Sequence, residues 1–219
     1  MKIFTHVRHE LPTLLTTIFL IAPLSAAEPL VPVIDGAWWT VAGNPDLGEF
    51  TSLKQEPVDF GVWQAADGTW QLWSCIRNTK CGGKSRLFYG WEGKNLSDTN
   101  WMPKGIVMQA DPALGEAKGG LQAPYVFREN GIDYMFYGDW NRICLATSRD
   151  GKNFERYKNE RGQPDVFTGP YGNTRDAMVL KIGALYFCYY TGHQAKTAPA
   201  PIAAAFCRTS ADLLHWSEP

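Results

Sequence analysis

The chain has 219 residues, 45% of them hydrophobic and 20% charged, which is the ordinary globular range. A net charge of −1 removes the electrostatic case for binding nucleic acid or an anionic membrane surface. Nine Trp, nine Tyr and eleven Phe favour strands and flat surfaces on which a sugar ring can stack.

Residues 1–27 read as a secretory signal. Lys2 and Arg8 give a positive start, Leu14 to Leu24 is largely apolar, and Ser25-Ala26-Ala27 supplies small residues for cleavage. The apolar run falls short of the ~20 residues a membrane span needs. The protein is therefore expected to be secreted or periplasmic, with Glu28 as its first mature residue. Export permits disulfides, and the odd count of Cys75, Cys81, Cys144, Cys188 and Cys207 leaves at least one free or paired between chains. Cys75 and Cys81, flanking a short polar loop, are the favoured pair, with small buried hydrophobes as the competing reading. No Cys-x-x-Cys or His-x-x-x-His spacing occurs, so neither metal nor cofactor is expected at the site; a structural calcium alone is left open.

Residues 28–56 read as an N-terminal arm. After it come three hairpin-like segments: Asp59–Trp73, Ala123–Tyr137 and Asp176–Tyr190. Each is an apolar run, a turn with Gly (Gly68, Gly131, Gly183), then an aromatic-rich run. Each is followed by a third strand and a polar turn ending in an aromatic: Trp101, Phe154 and Trp216. The last two turns share one spacing, with Ser148, Asp150 and Phe154 matching Ser210, Asp212 and Trp216. In a Ser-x-Asp turn both side chains can bond nearby backbone N–H groups, and the aromatic is expected to plug the next strand into the blade core.

The aromatic anchors lie 53 and 62 residues apart, the period of four-stranded propeller blades. The expected fold is all-β: a β-propeller of four-stranded antiparallel blades near 57–110, 120–165 and 173–219, with 105–119 and 158–172 as loops. A sandwich is the competing architecture, but it would not repeat its turn chemistry every four strands. Removal of residues 1–27 leaves 192 residues, enough for about three blades, whereas propellers close with about four to eight. The chain reads as a propeller truncated after about three blades.

Propeller geometry places the site. The entry of strand one and the exit of strand two are the open ends of one hairpin and share a rim. The entries carry Asp59, Gln122 and Arg175-Asp176; the exits carry Arg77-Asn78, Asp139-Trp140 and His193-Gln194. Two carboxylates on one rim suit glycoside hydrolysis, and Trp, Arg and Gln suit sugar binding. Asp59, an acid within an apolar strand, would be costly to bury unpaired. Arg175 is expected to turn away from Asp176, because neighbouring strand residues face opposite sides.

The Asp59 hairpin, the Ala123-Pro124 opening of the second repeat, the Asp176 hairpin and the Ser-x-Asp-Leu-x-x-x-Trp turn together resemble family 43 glycoside hydrolases and their relatives. The resemblance covers about residues 57–219. It implies a five-bladed propeller acting on arabinose-, xylose- or galactose-containing glycans, with an oligo- or polysaccharide as partner. It further implies Asp59 as general base, Asp176 as the residue that tunes and orients the acid, and a blade-four Glu as the acid itself. Arg77, Gln122, Asp139, Trp140, Arg175 and His193 are the candidate substrate-binding residues. The sequence departs from the family where Phe60 follows Asp59 in place of Pro, and where Gln122 replaces Trp before Ala123-Pro124. Arg175-Asp176 is similar to the Arg-Asp pair of family 32 fructosidases, but their Asn-Asp-Pro-Asn motif is absent. The expected function is a secreted glycoside hydrolase acting on plant or algal-type glycans. A non-catalytic carbohydrate-binding propeller is the alternative, and a sialidase-type reading lacks its arginine triad.

Overall fold

The computed structural model describes residues 31–33, 35–193 and 203–219. The expected signal segment 1–27, Glu28 and Gln194 lie outside them. The backbone divides into units 1–37 and 38–219, and everything below concerns the second.

Three antiparallel sheets follow one another along the chain. The first has the order β1 (Glu56–Gln64), β2 (Trp70–Arg77), β3 (Leu87–Gly93), β4 (Met102–Met108). The second runs β5 (Gln122–Glu129), β6 (Ile132–Gly138), β7 (Arg142–Ser148), β8 (Glu155–Arg156), with β9 (Asp165–Thr168) also pairing β7. The third is β10 (Arg175–Ile182), β11 (Leu185–His193), β12 (Ala203–Ser210). It has three described strands where four were expected; a fourth begins at the Ser210–Trp216 bridge and the Ser217 N–H bond to Thr209 O. The expected loops 105–119 and 158–172 each contain strand: β4 reaches Met108 and β9 spans Asp165–Thr168. Both are outermost strands with short pairings, which leave little alternation to read in sequence.

The turns form as their residues dictate. Asn130 and Gly131 have φ of 50° and 76°, as a two-residue turn between β5 and β6 requires. The two Ser-x-Asp turns are built alike. Ser148 Oγ accepts from Asp150 N and Gly151 N, and Asp150 Oδ1 accepts from Lys152 N and Asn153 N. Ser210 Oγ accepts from Asp212 N and Leu213 N, and Asp212 Oδ1 accepts from Leu214 N and His215 N.

The sheets pack face to face through their inner strands, β1 on β5 and β5 on β10. Gly61 makes the first approach close enough, since a Cβ there would lie 2.6 Å from Pro124 O. Across the second, Tyr125 Oη donates to Val179 O at 3.0 Å. Each seam holds its own core. Trp63, Trp73, Phe88 and Met135 fill the first; Phe136, Ile143, Val179 and Tyr190 fill the second. Two of the three anchor aromatics, Phe154 and Trp216, enter these seams, while Trp101 packs on its own sheet beside Tyr89 and Trp91. Phe154 packs edge-on against Trp63 and Trp73 of the preceding sheet, at 5.7 and 5.3 Å. Trp216 does the same to Phe136 and Phe167, at 5.9 and 5.8 Å. A ring at a sheet edge reaches across more easily than back onto its own strands.

Residues 41–50 are not a free arm. Val41, Ala42, Leu47 and Phe50 join Tyr89, Trp91 and Trp101 in a third core on the outer face of the first sheet.

Candidate functional site

All three inner strands lose register near their entry. In β1, Val58 pairs with Cys75 and Phe60 with Ser74, which leaves Asp59 unpaired. In β5 the shift falls between Gln122 and Tyr125, and in β10 between Arg175 and Met178. Ala123 and Asp176 have φ of 46° and 60° at these points. A bulge re-aims the side chain it carries, and such irregularities cluster near functional sites.

Asp59 is exposed, so the burial cost foreseen for it is not incurred. It makes no hydrogen bond among the described residues and lines a cleft of about 690 Å³ with Trp39, Phe60, Val62, Trp91 and Trp101. That cleft reaches neither Asp176 nor Trp140 nor His193.

Arg175 does not turn away from Asp176: its Nε donates to Asp176 Oδ2 at 3.1 Å. The left-handed φ of Asp176 cancels the alternation on which the contrary expectation rested. Arg175 also donates to Asn173 Oδ1 at 3.3 Å, and the Asn173 amide meets His193 Nε2 at 3.2 Å. A continuous polar chain, His193–Asn173–Arg175–Asp176, therefore runs along the rim of the third sheet.

The other candidates separate. Arg77 is bound to Glu56 at 2.7 Å. Asp139 is buried and serves the fold: it accepts from Asn141 N, Arg142 N and both Arg142 Nε and a terminal nitrogen. Gln122 has no exposed surface, and neither of its side-chain amide atoms has a partner among the described residues. Trp140 has φ of 87° and lies under two cations, Lys84 Nζ at 4.5 Å and the Arg86 guanidinium at 4.9 Å from its ring centre. Sequence reasoning missed Lys84, Arg86 and Asn173. The run Gly82-Gly83-Lys84-Ser85-Arg86, basic and without an acid, was the available signal.

All five thiols are free, so the expected Cys75–Cys81 pair does not form. Cys75 Sγ donates to Leu121 O, while Cys81 Sγ donates to Arg86 O. Burial pushes the Cys75 and Cys188 thiols up to about 12, far from a reactive thiolate. Among the described residues no cluster of three or more His, Cys, Asp or Glu side chains could hold a metal ion. Nor is any helix there long and apolar enough to cross a membrane.

With sheets, seams and rim in place, the chain superposes on solved glycosidases. One is a thermostable family 43 glycoside hydrolase: TM-score 0.55, 21% identity, 75% of this chain and 52% of that one. A second comes from the family 130 mannoside phosphorylases, which include glycoside hydrolases targeting β-1,2 mannosidic linkages in Candida mannan. Its TM-score is 0.55, with 17% identity, 86% of this chain and 60% of that one. A third is sucrose-6-phosphate hydrolase from Lactobacillus gasseri: TM-score 0.56, 15% identity, 74% of this chain and 33% of that one. The fold is that of the β-propeller glycosidases. Identities this low carry the propeller glycosidase fold and nothing finer, and the neighbours differ in what they cleave. No family model matches the chain, and no curated protein does. The chain spans about half the length of the solved propeller glycosidases it matches.

Proposed function

We propose that the chain belongs to an exported glycoside hydrolase of the propeller type, acting on plant or algal-type glycans, with Asp59 as general base. The observation that carries this is the register break that leaves Asp59 unpaired and exposed at the entry of an inner strand, its carboxylate without a hydrogen bond among the described residues. A base must meet water, and a carboxylate with no internal partner keeps its lone pairs for that proton. Asp176, held in place by Arg175, tunes and orients the group that protonates the leaving oxygen. On this reading the proton donor is the blade-four Glu that the family resemblance implies. Turnover is therefore proposed for the complete protein rather than for these three sheets.

One observation favours a binding module instead: the cleft that Asp59 lines is rich in aromatic rings and does not extend to Asp176. The two readings part on turnover. The complete protein should release new reducing ends from one of arabinan, xylan or galactan. Asp59→Asn should cut that rate by roughly 10²–10⁴-fold while leaving glycan binding intact. Binding without any turnover would establish the module, and full turnover in Asp59→Asn would remove the base.

A further inference from the structure

We propose that Lys84, Arg86 and Trp140 form a subsite for an anionic sugar substituent, a carboxylate or a sulfate ester. The proposal rests on reading the chain as a carbohydrate-active propeller and names a substrate class within it.

Charge is the first ground. The chain as a whole carries −1, yet Lys80, Lys84 and Arg86 fall within seven residues, and Lys118 faces them across a backbone contact. Neither this loop nor the facing strip 117–121 contains an acid. Elsewhere the half-buried arginines are tied to carboxylates: Arg142 to Asp139, Arg156 to Glu116, Arg175 to Asp176. Among the described residues, Lys84 and Arg86 make no side-chain hydrogen bond or ion pair; their only polar contact is with the Trp140 ring. A cation over an indole is attracted but not neutralised. Two like charges within 5 Å of one ring centre leave a strong local demand for an anion.

Preorganisation is the second ground. Lys84 N donates to Lys118 O and Arg86 N to Gly119 O, at 2.9 and 3.0 Å. The contact tolerates only glycine: a Cβ at Gly83 would lie 2.0 Å from Lys118 O, and one at Gly119 2.4 Å from Gly82 O. Trp140 adopts φ of 87°, which a bulky residue seldom does without being held there. Asp139, bonded to the N–H groups of Asn141 and Arg142, does the holding. Backbone on both sides is thus fixed before any ligand arrives, which lowers the ordering cost of binding. The Arg86 fork matches a carboxylate or sulfate in shape, Lys84 adds a point charge, and the indole edge offers an apolar wall to the sugar.

The test titrates the full chain with three oligosaccharides of equal length: an oligogalacturonate, a sulfated galactan and a neutral galactan. At low salt one of the two acidic probes should bind at least about tenfold tighter than the neutral one, and added NaCl should erase the difference. Which probe prevails separates carboxylate from sulfate. Lys84→Gln/Arg86→Gln keeps the stems against Trp140, and should lose that preference without loss of neutral binding. Arg86→Lys should retain part of it. Lys84→Gln alone, at an exposed position, serves if the double variant fails to fold. Equal binding of all three probes overturns the subsite and leaves the carbohydrate reading standing. Acidic binding unchanged in the variants also overturns it. If no probe binds, the subsite falls, while the hydrolase reading stands or falls separately on turnover of arabinan, xylan and galactan.

Discussion

Gln122 sits at the entry of β5 with no exposed surface and, among the described residues, no partner for either side-chain amide atom. An orphaned buried amide costs about 1–3 kcal/mol, whereas an apolar side chain of the same size costs little. Gln122→Met should therefore raise the melting temperature by a few degrees, read by differential scanning calorimetry. A fall would show that the amide is partnered, by water or by glycan, and simultaneous loss of glycan binding would assign it to the site. The sequence marked Gln122 only by its position on the rim. It said nothing of burial, because burial depends on what packs over the strand entry and not on the residues beside Gln122 in the chain. Asp139 teaches the same point: its residue type and place suit a sugar ligand, but Arg142 three residues on claims it for the fold.

The Ser-x-Asp turns were legible because their bonds are local. Backbone N–H groups two or three residues away are within reach of any Ser or Asp so placed, whatever the tertiary context. Their titration follows. Burial opposes ionisation of Asp212, but the His215 ring and the N–H groups of His215 and Leu214 outweigh it, and its carboxyl lies well below the usual range. Hydrogen bonds from the Asn153 backbone and side chain do the same for Asp150. These depressed values contribute stability that is present above the unfolded carboxylate pKa of about 3.9 and is lost as pH falls toward the folded values. His215 moves the other way: Asp212 at 2.7 Å raises its pKa. Its contribution is complete below the unfolded value of about 6.5 and disappears as pH rises through the raised one. His215→Gln should accordingly lower the melting temperature at pH 5 and leave it unchanged at pH 9. Equal losses at both pH values would show that the ring acts by packing instead.

At the scale of the whole molecule, each sheet buries one flank against its neighbour, but the third leaves its far flank open. Val179 is fully buried, while Leu180 and Ile182, alternating with it on β10, are 42% and 58% exposed. Met178, Leu185 and Tyr189 widen this apolar surface. Patches of this kind drive association. The 219-residue chain should self-associate in light scattering behind size-exclusion chromatography. Leu180→Lys/Ile182→Lys should suppress this while changing the melting temperature by only a degree or two, since both side chains stand on the open face. Persistent association in that variant would place the contact elsewhere, for instance at the aromatic cleft beside Asp59.

The sequence by itself determined the three-fold repeat, the strand turns, the polar turns and the aromatic anchors, because each depends on residues close along the chain. It also placed Asp59 and Asp176 at strand entries by counting back from the turns. What tertiary structure alone decided is where those side chains go. The bulges in β1 and β10 break the alternation that sequence reasoning relies on, exposing Asp59 and turning Asp176 onto Arg175. The meeting of Lys84 and Arg86 with Trp140 joins positions more than fifty residues apart through two glycine-rich segments pressed backbone to backbone. No local pattern encodes that contact, since its geometry exists only once the first two sheets have docked.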